Sequence, residues 1–366
     1  MLKKRFILVA IVILAIAVVF TGCANVKQTT APGGQGSQQK IKWKIATSWP
    51  DSMFLHKIPV KWAEEINKAS GGRLEVEVFP AGAIVGGQEV LDSANMGSIN
   101  GYHSATNLWV GKMPGAVFFS SIPMTLEPDM HLGWIYEGGG LELWQKMYDQ
   151  AGYNVKVIPL GFTGPETLAW SNKKMEKLED WKGVKYRTAG WWAEILRQNG
   201  VSVTTLPPGE LYQALDRGVI DALEFATPLV DRDLAFHEVT KFFTGPGMHQ
   251  PSTMYYIGIN KKTWNELPDD LKKLVELSAK STTLWSFTND LQKSIEATEF
   301  YKQKGIQPVV VDKATQLKLQ EDAWAFIEKK SGEQGGLFKE IWQSIKDYRK
   351  RYIEYNELMT PVRGGK

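Results

Sequence analysis

The sequence predicts an α/β fold of two similar lobes joined by one long helix. Three observations predict it. Residues 41–104 and 183–225 each read as strand, helix, strand, helix, strand, a pattern that implies parallel strands with helices laid across them. A helix pattern opening at Pro268 need not end before Gly305. Some 36 residues at ~1.5 Å each span roughly 55 Å, longer than one lobe, so such a helix must bridge two lobes or reach a neighbour. The chain of 366 residues is long enough for two domains.

The start reads as an export signal. Lys3, Lys4 and Arg5 form a basic head, Phe6 to Phe20 is an unbroken apolar run too short for a comfortable membrane span, and Phe20-Thr21-Gly22-Cys23 follows. That tetrad resembles a bacterial lipobox, in which Cys23 becomes the acylated first residue. Phe20 and Thr21 depart from the usual Leu and Ala or Ser. Cys23 is the only cysteine, so it can make no internal disulfide. Residues 1–22 are expected to be a lipoprotein signal peptide. Residues 23–39, rich in Gln, Thr, Gly and Ser, are expected to be a flexible tether. Without the three basic residues of the head, the 43 Lys and Arg fall to 40, equal to the 40 Asp and Glu. A near-neutral mature chain argues against nucleic acid as partner.

The elements follow in order. Ile41–Ala46 alternates as a strand. A helix from about Pro59 carries Leu55, Ile58, Trp62 and Ile66 on one stripe and stops at Gly71-Gly72. Arg73–Phe79 is a strongly alternating strand, 88–96 a helix and Ile99–Ser104 a strand. Tyr153–Leu160 and Leu168–Ser171 read as strands, and Glu176–Trp181 as a short helical turn. Val184–Arg187 alternates and stops at Thr188-Ala189-Gly190, placing Arg187 near a strand end. Helix Trp191–Gln198, strand Val201–Thr204, an amphipathic helix after Pro207-Pro208-Gly209 and strand Asp221–Phe225 complete the second unit. Ligands in such sheets sit at strand ends, so Arg187 and Glu224 form the working centre. Tyr255–Asn260 is a further strand. Residues 313–330 and 337–357 are two last helices, the final one with Leu337, Ile341, Trp342, Ile345, Tyr348, Tyr352 and Tyr355 at spacings of three and four. That face packs on its own molecule or, alternatively, against a second copy. The expected division is 41–160 for the first lobe, completed by 250–285, 161–249 for the second, 268–304 for the long helix and 313–357 for the C-terminal helices. The 14 tryptophans fit core packing by default and an aromatic cleft as the alternative.

Several stretches in this order resemble one family. They are Gly71-Gly72-Arg73-Leu74-Glu75-Val76-Glu77-Val78-Phe79-Pro80-Ala81-Gly82, Gly86–Asp92, Lys182–Arg187, Leu206–Leu215 and Arg217–Ala222. Each is weak alone. Together they resemble the extracytoplasmic solute-binding proteins of TRAP (tripartite ATP-independent periplasmic) transporters, the dicarboxylate-receptor family. The resemblance implies a two-lobed, type II-like periplasmic-binding-protein fold, a long helix spanning both lobes, and a ligand enclosed between them. It also implies membrane subunits of a TRAP transporter as partners and an extracytoplasmic location, with Cys23 as the membrane anchor.

The resemblance further implies that Arg187 holds a ligand carboxylate, as its planar fork suits. The end Glu224-Phe225 resembles the branch that binds 2-oxo or 2-hydroxy monocarboxylates. There an acidic residue and the next backbone carbonyl hold a cation that also touches the ligand. Glu166, Glu224, Phe225 and Gln250 are the expected ion ligands. Where the branch usually has Gln, this chain has Glu166. Two glutamates and a monocarboxylate sum to −3 and Arg187 returns +1, so Ca²⁺ neutralises the set and is favoured, whereas Na⁺ leaves it at −1. Tyr102 and Asn107 are expected to reach the 2-oxygen, Trp49 and Trp191 to form the apolar wall, and His249 to be structural. A dicarboxylate or sugar-acid receptor without a bridging ion is the alternative. A surface carbohydrate-binding module using the tryptophans is remoter. So is an exported enzyme, since no Gly-x-Ser-x-Gly elbow, His-Glu-x-x-His helix or phosphate-binding Gly loop occurs.

Overall fold

A computed structural model describes residues 40–361, so the signal, tether and Cys23 expectations lie outside the described residues. Two sheets organise the chain. The first has the order β2-β1-β3-β10-β4, from β1 (Ile41–Thr47), β2 (Leu74–Phe79), β3 (Gly101–Ser104), β4 (Val155–Thr163) and β10 (Thr253–Asn260). The second has the order β11-β9-β5-β8-β6-β7, from β5 (Ala169–Ser171), β6 (Lys185–Arg187), β7 (Ser202–Thr204), β8 (Ala222–Leu223), β9 (Phe242–Gly245) and β11 (Gln307–Val310). In the first sheet β1 lies parallel to both β2 and β3. In the second, β6 lies parallel to both β7 and β8. The two predicted β-α-β-α-β units are therefore present, each with its first strand in the middle.

Helix α1 (Phe54–Ala69) buries Leu55, Ile58, Trp62 and Ile66 as their spacing predicts. It starts five residues before the expected Pro59, because burial of Phe54 and Leu55 outweighs the backbone bond that Pro59 cannot make. Helix α2 is Val90–Met96. The stretch from 105 to 152, unassigned from sequence, holds two 3₁₀ turns at Thr106–Trp109 and Pro114–Phe119, then α3 (Pro128–Glu137) and α4 (Gly140–Gln150). The second lobe contributes α5 (Gly190–Gln198), α6 (Leu211–Asp216) and α7 (Pro228–Asp233), and α8 (Lys261–Asn265) follows β10. The expected strand Asp221–Phe225 shortens to β8. Asp221 instead accepts the Lys185 N–H at 2.9 Å, and Ala226 N–H turns away to Asp231.

The long helix is α9, Asp269–Gln303, 35 residues. Its inner face is polar for a reason. Strand β4 lies at the edge of its sheet, and α9 side chains satisfy it: Gly161 N–H donates to Thr283 at 3.0 Å, Phe162 N–H to Ser286 at 2.8 Å and Gly164 N–H to Asp290 at 2.9 Å. Further along, Thr227 donates to Asp290 at 2.7 Å and Tyr301 to the Pro228 carbonyl at 2.6 Å. The same helix thus binds elements of both lobes. Helices α10 (Lys313–Gln334) and α11 (Gly336–Met359) close the chain. Phe338, Ile341, Trp342 and Ile345 of α11 are buried in the main core, while Tyr355, Leu358 and Met359 are exposed.

Strands β9 and β11 escaped prediction. Both are four residues long, and β11 contains Pro308, which only an edge position tolerates. Among the described residues no helix is long and apolar enough to cross a membrane.

Candidate functional site

The chain leaves the first sheet after β4 and returns to it before β10. Glu166 lies on the outward connection and His249 and Gln250 on the return one. The two connections are bound together: Glu166 N–H donates to the Gln250 carbonyl at 3.1 Å, and Gln250 Nε2 donates to Glu166 Oε2 at 2.7 Å. Gly247 lies so close that a Cβ there would collide with the Glu166 backbone oxygen and nitrogen. Only glycine fits.

Against this junction stand the ends of β6 and β8. Arg187 donates from Nη1 to the Glu224 carbonyl at 2.8 Å and from Nη2 and Nε to the Leu206 carbonyl at 3.2 and 3.3 Å. These bonds fix the plane of its guanidinium. Its Nη1 also lies 3.4 Å from Glu224 Oε1. His249 Nε2 lies between the two glutamates, 3.4 Å from Glu166 Oε2 and 3.6 Å from Glu224 Oε2. All four side chains are buried. Neither ring nitrogen of His249 has a hydrogen-bond partner, nor has the indole N–H of Trp49 or Trp192.

The charges are strongly coupled. Burial opposes a charge on His249, but the carboxylates of Glu166 and Glu224 outweigh it and raise its pKa to about 9. Burial pushes Glu166 up to about 7, with the negative charges of Glu224 and Asp290 adding to the effect against His249. Burial also acts to raise Glu224, yet His249, Arg187 and Thr188 hold it below the usual carboxylate range. The two glutamates therefore differ. Glu224 is held below the usual carboxylate range and Glu166 is pushed above it.

Of the residues singled out from sequence, Arg187, Glu166, Glu224 and Gln250 come together. Phe225, half-buried, follows Glu224 and packs near Phe236. Trp49 stands edge-on to Tyr255 at 6.0 Å, next to the first sheet. Three expected residues lie elsewhere. Tyr102 points into the core, where its hydroxyl meets that of Tyr256 at 2.6 Å, because alternation along β3 turns its neighbour His103 to the other face. Asn107 is exposed on a 3₁₀ turn. Trp191 packs on Phe118, Phe326 and Phe338, while its neighbour Trp192 lies 6.1 Å from the His249 ring. Adjacent helix residues differ by about 100° in direction, so a Trp-Trp pair offers only one ring to a given side. His249, expected to be structural, stands between the two carboxylates. Its signal was present in the sequence, since it adjoins Gln250.

Comparison with known proteins agrees with this architecture. Residues 45–331 match the model of "Bacterial extracellular solute-binding protein, family 7". The chain is 29% identical to a monocarboxylate 2-oxoacid-binding periplasmic protein of Nostoc sp. strain PCC 7120, with 94% of each chain covered. Among solved structures it resembles a TRAP periplasmic solute-binding protein from Colwellia psychrerythraea with bound calcium and pyruvate, at 28% identity and TM-score 0.81, covering 88% of this chain and 98% of that one. It likewise resembles one from Pseudoalteromonas atlantica with bound sodium and pyruvate, at 25% identity and TM-score 0.79, covering 88% and 97%. The chain belongs to the family 7 extracellular solute-binding proteins, a family of extracytoplasmic TRAP receptors rather than enzymes.

Proposed function

We propose that this protein captures a 2-oxo or 2-hydroxy monocarboxylate for a TRAP transporter, holding it through Arg187 and a bound cation. The observation that carries the reading is the buried cluster of Arg187, Glu166, Glu224 and His249 where the chain passes between its sheets. Three features support it. The guanidinium is braced by backbone carbonyls, and its 3.4 Å contact to Glu224 Oε1 is long enough for a ligand carboxylate to replace. Glu166 and Glu224 would supply oxygen donors for a cation, with Gln250 bonded to Glu166 and the Phe225 carbonyl, next in sequence to Glu224, as the further expected ligands. Trp49, Tyr255 and Trp192 offer an apolar wall with unpartnered indole N–H groups for a ligand oxygen. A cation at this place would bring the ligand's carboxylate and adjacent oxygen to one centre. The relatives with pyruvate and calcium or sodium support that choice of ligand class.

Binding would draw the lobes together about the connections near residues 160 and 250. The mature protein would be held at the membrane by acylated Cys23. Metabolic labelling with a fatty acid tests this, and label surviving in Cys23→Ser would refute it. A second copy would meet the exposed end of α11 around Tyr355, Leu358 and Met359, so Leu358→Glu is expected to turn a dimer into a monomer by light scattering.

The deciding experiment is thermal unfolding of the purified protein against 2-oxo, 2-hydroxy and dicarboxylic acids, each with Ca²⁺, Na⁺ or EDTA. A ligand raises Tm whenever it binds the folded state. A shift confined to 2-oxo or 2-hydroxy monocarboxylates and lost in EDTA supports the reading. A shift with dicarboxylates whatever the ion sinks it and leaves the alternative of a dicarboxylate receptor.

A further inference from the structure

We propose that His249 is itself a ligand of the cation, and that this nitrogen donor turns the site toward a borderline divalent ion such as Zn²⁺. The inference rests on the cation reading above and deepens it. One ligand atom from each of Glu166, Glu224 and His249 can be chosen so that all lie within 4.8 Å of one another. His249 is 2% exposed, and both its ring nitrogens lack hydrogen-bond partners. The two carboxylates contact the ring without hydrogen-bond geometry, so a buried polar nitrogen is left that an ion between them would satisfy. Its Nε2 is aimed at the gap between the glutamates, 3.4 and 3.6 Å from their oxygens. Donors arranged tetrahedrally around an ion with bonds of about 2.0–2.2 Å stand roughly 3.3–3.6 Å apart, so these separations already suit such an ion.

The chemistry of the donor set decides the ion. Calcium and sodium prefer shells made of oxygen alone. Two carboxylates and one imidazole form the mixed oxygen–nitrogen set that favours zinc, cobalt or nickel. Three protein ligands leave a fourth position for one ligand oxygen, and expansion to five-coordination would admit both the carboxylate and the 2-oxygen. The ring is positioned from its own loop. Gly247 packs its backbone on Glu166, the Met248 carbonyl accepts the Met124 N–H at 2.8 Å, and Gln250 N–H returns to the Gly247 carbonyl at 3.1 Å. The imidazole is thereby placed before any ion arrives, which lowers the ordering cost of binding.

The test uses EDTA-stripped protein. Zn²⁺ and Ca²⁺ are titrated calorimetrically into the wild type, His249→Gln and Glu224→Gln, with circular dichroism checking that each variant is folded. Cu²⁺-loaded wild type is examined by pulsed EPR for modulation from a coordinated imidazole nitrogen, a readout that needs no variant. The expected result is nitrogen modulation in the wild type that disappears in His249→Gln. Zn²⁺ should bind at least about tenfold tighter than Ca²⁺, and His249→Gln should remove that preference. Absence of nitrogen modulation, with Ca²⁺ binding as tightly as Zn²⁺ and unaffected by His249→Gln, overturns the inference and leaves the oxygen-only cation site standing. If neither ion binds the wild type, the inference falls, and the cation reading falls with it unless Na⁺ supports the ligand-induced rise in Tm.

Discussion

Two buried polar clusters, one in the core of the first lobe and one where the chain passes between the two sheets, are built on opposite plans. In the first lobe, Tyr256 is a hub. Its hydroxyl meets those of Tyr102 at 2.6 Å and Tyr148 at 2.5 Å and accepts the Trp109 indole N–H at 2.7 Å. Every member is neutral, and burial raises the pKa of all three tyrosines. In the second, Glu166, Glu224, Arg187 and His249 are charged or poised to be, and His249 is left without a hydrogen bond. A satisfied neutral network specifies a core. An unsatisfied charged one is costly to keep and points to a ligand. Burial alone does not distinguish the two regions, since both lie within the interior.

This contrast can be broken by experiment. The largest effect is expected from Arg187→Ala. It removes a buried guanidinium facing Glu224, and the loss of about 3–5 kcal/mol expected when one partner of a buried charge pair is truncated should weaken organic-acid binding about 10²–10⁴-fold by calorimetry. Unchanged affinity would reduce the second cluster to a structural one. Next is Gly247→Ala. Its Cβ would meet backbone rather than a side chain that can swing away, so a cost near the ~3 kcal/mol end of overpacking is expected in urea unfolding, with weakened ligand binding.

The third prediction concerns Asp290, 1% exposed and joining α9 to Gly164 and Thr227. Burial raises its pKa from 3.8 to about 6. The folded state therefore holds a proton that the unfolded state has lost, and stability falls as pH rises from about 4 to about 6. The penalty is complete above that window and is at most about 3 kcal/mol, since each tenfold gain in proton affinity is worth ~1.4 kcal/mol. Asp290→Asn should flatten the stability profile across this range in denaturant titrations, and an unaltered slope would refute the assignment. The smallest effect is expected from Tyr256→Phe. Loss of its hydroxyl strands the Trp109 N–H and leaves Tyr102 and Tyr148 only their 3.5 Å contact, which should cost about 1–2 kcal/mol of stability and leave ligand affinity within about twofold. A large loss of binding there would mean that the two clusters are coupled.

Much of the fold was legible because it is local. The alternation in Ile41–Thr47 and Leu74–Phe79, the Leu55-Ile58-Trp62-Ile66 stripe and the uninterrupted pattern after Pro268 are written in neighbouring residues. Strands β9 and β11 were not, because Phe242-Phe243-Thr244-Gly245 and Gln307-Pro308-Val309-Val310 do not alternate and gain their partners from distant sequence. The site divides in the same way. Arg187 and Glu224 could be placed at strand ends from periodicity and turns. Tyr102 and Trp191 were named in their neighbourhoods, but the face each presents depends on what packs against β3 and α5.

By itself, the sequence determined two β-α-β-α-β units, a helix long enough to reach both, and a basic and an acidic residue at the ends of neighbouring strands. Those features follow from backbone propensity and the periods of strand and helix, which act over a few residues. Tertiary structure alone decided that Glu166 and His249, 83 positions apart, would face one another across two connections. It likewise pushed one glutamate above the usual carboxylate range and held the other below it. Charge coupling depends on distance and burial, and neither exists until the chain has folded.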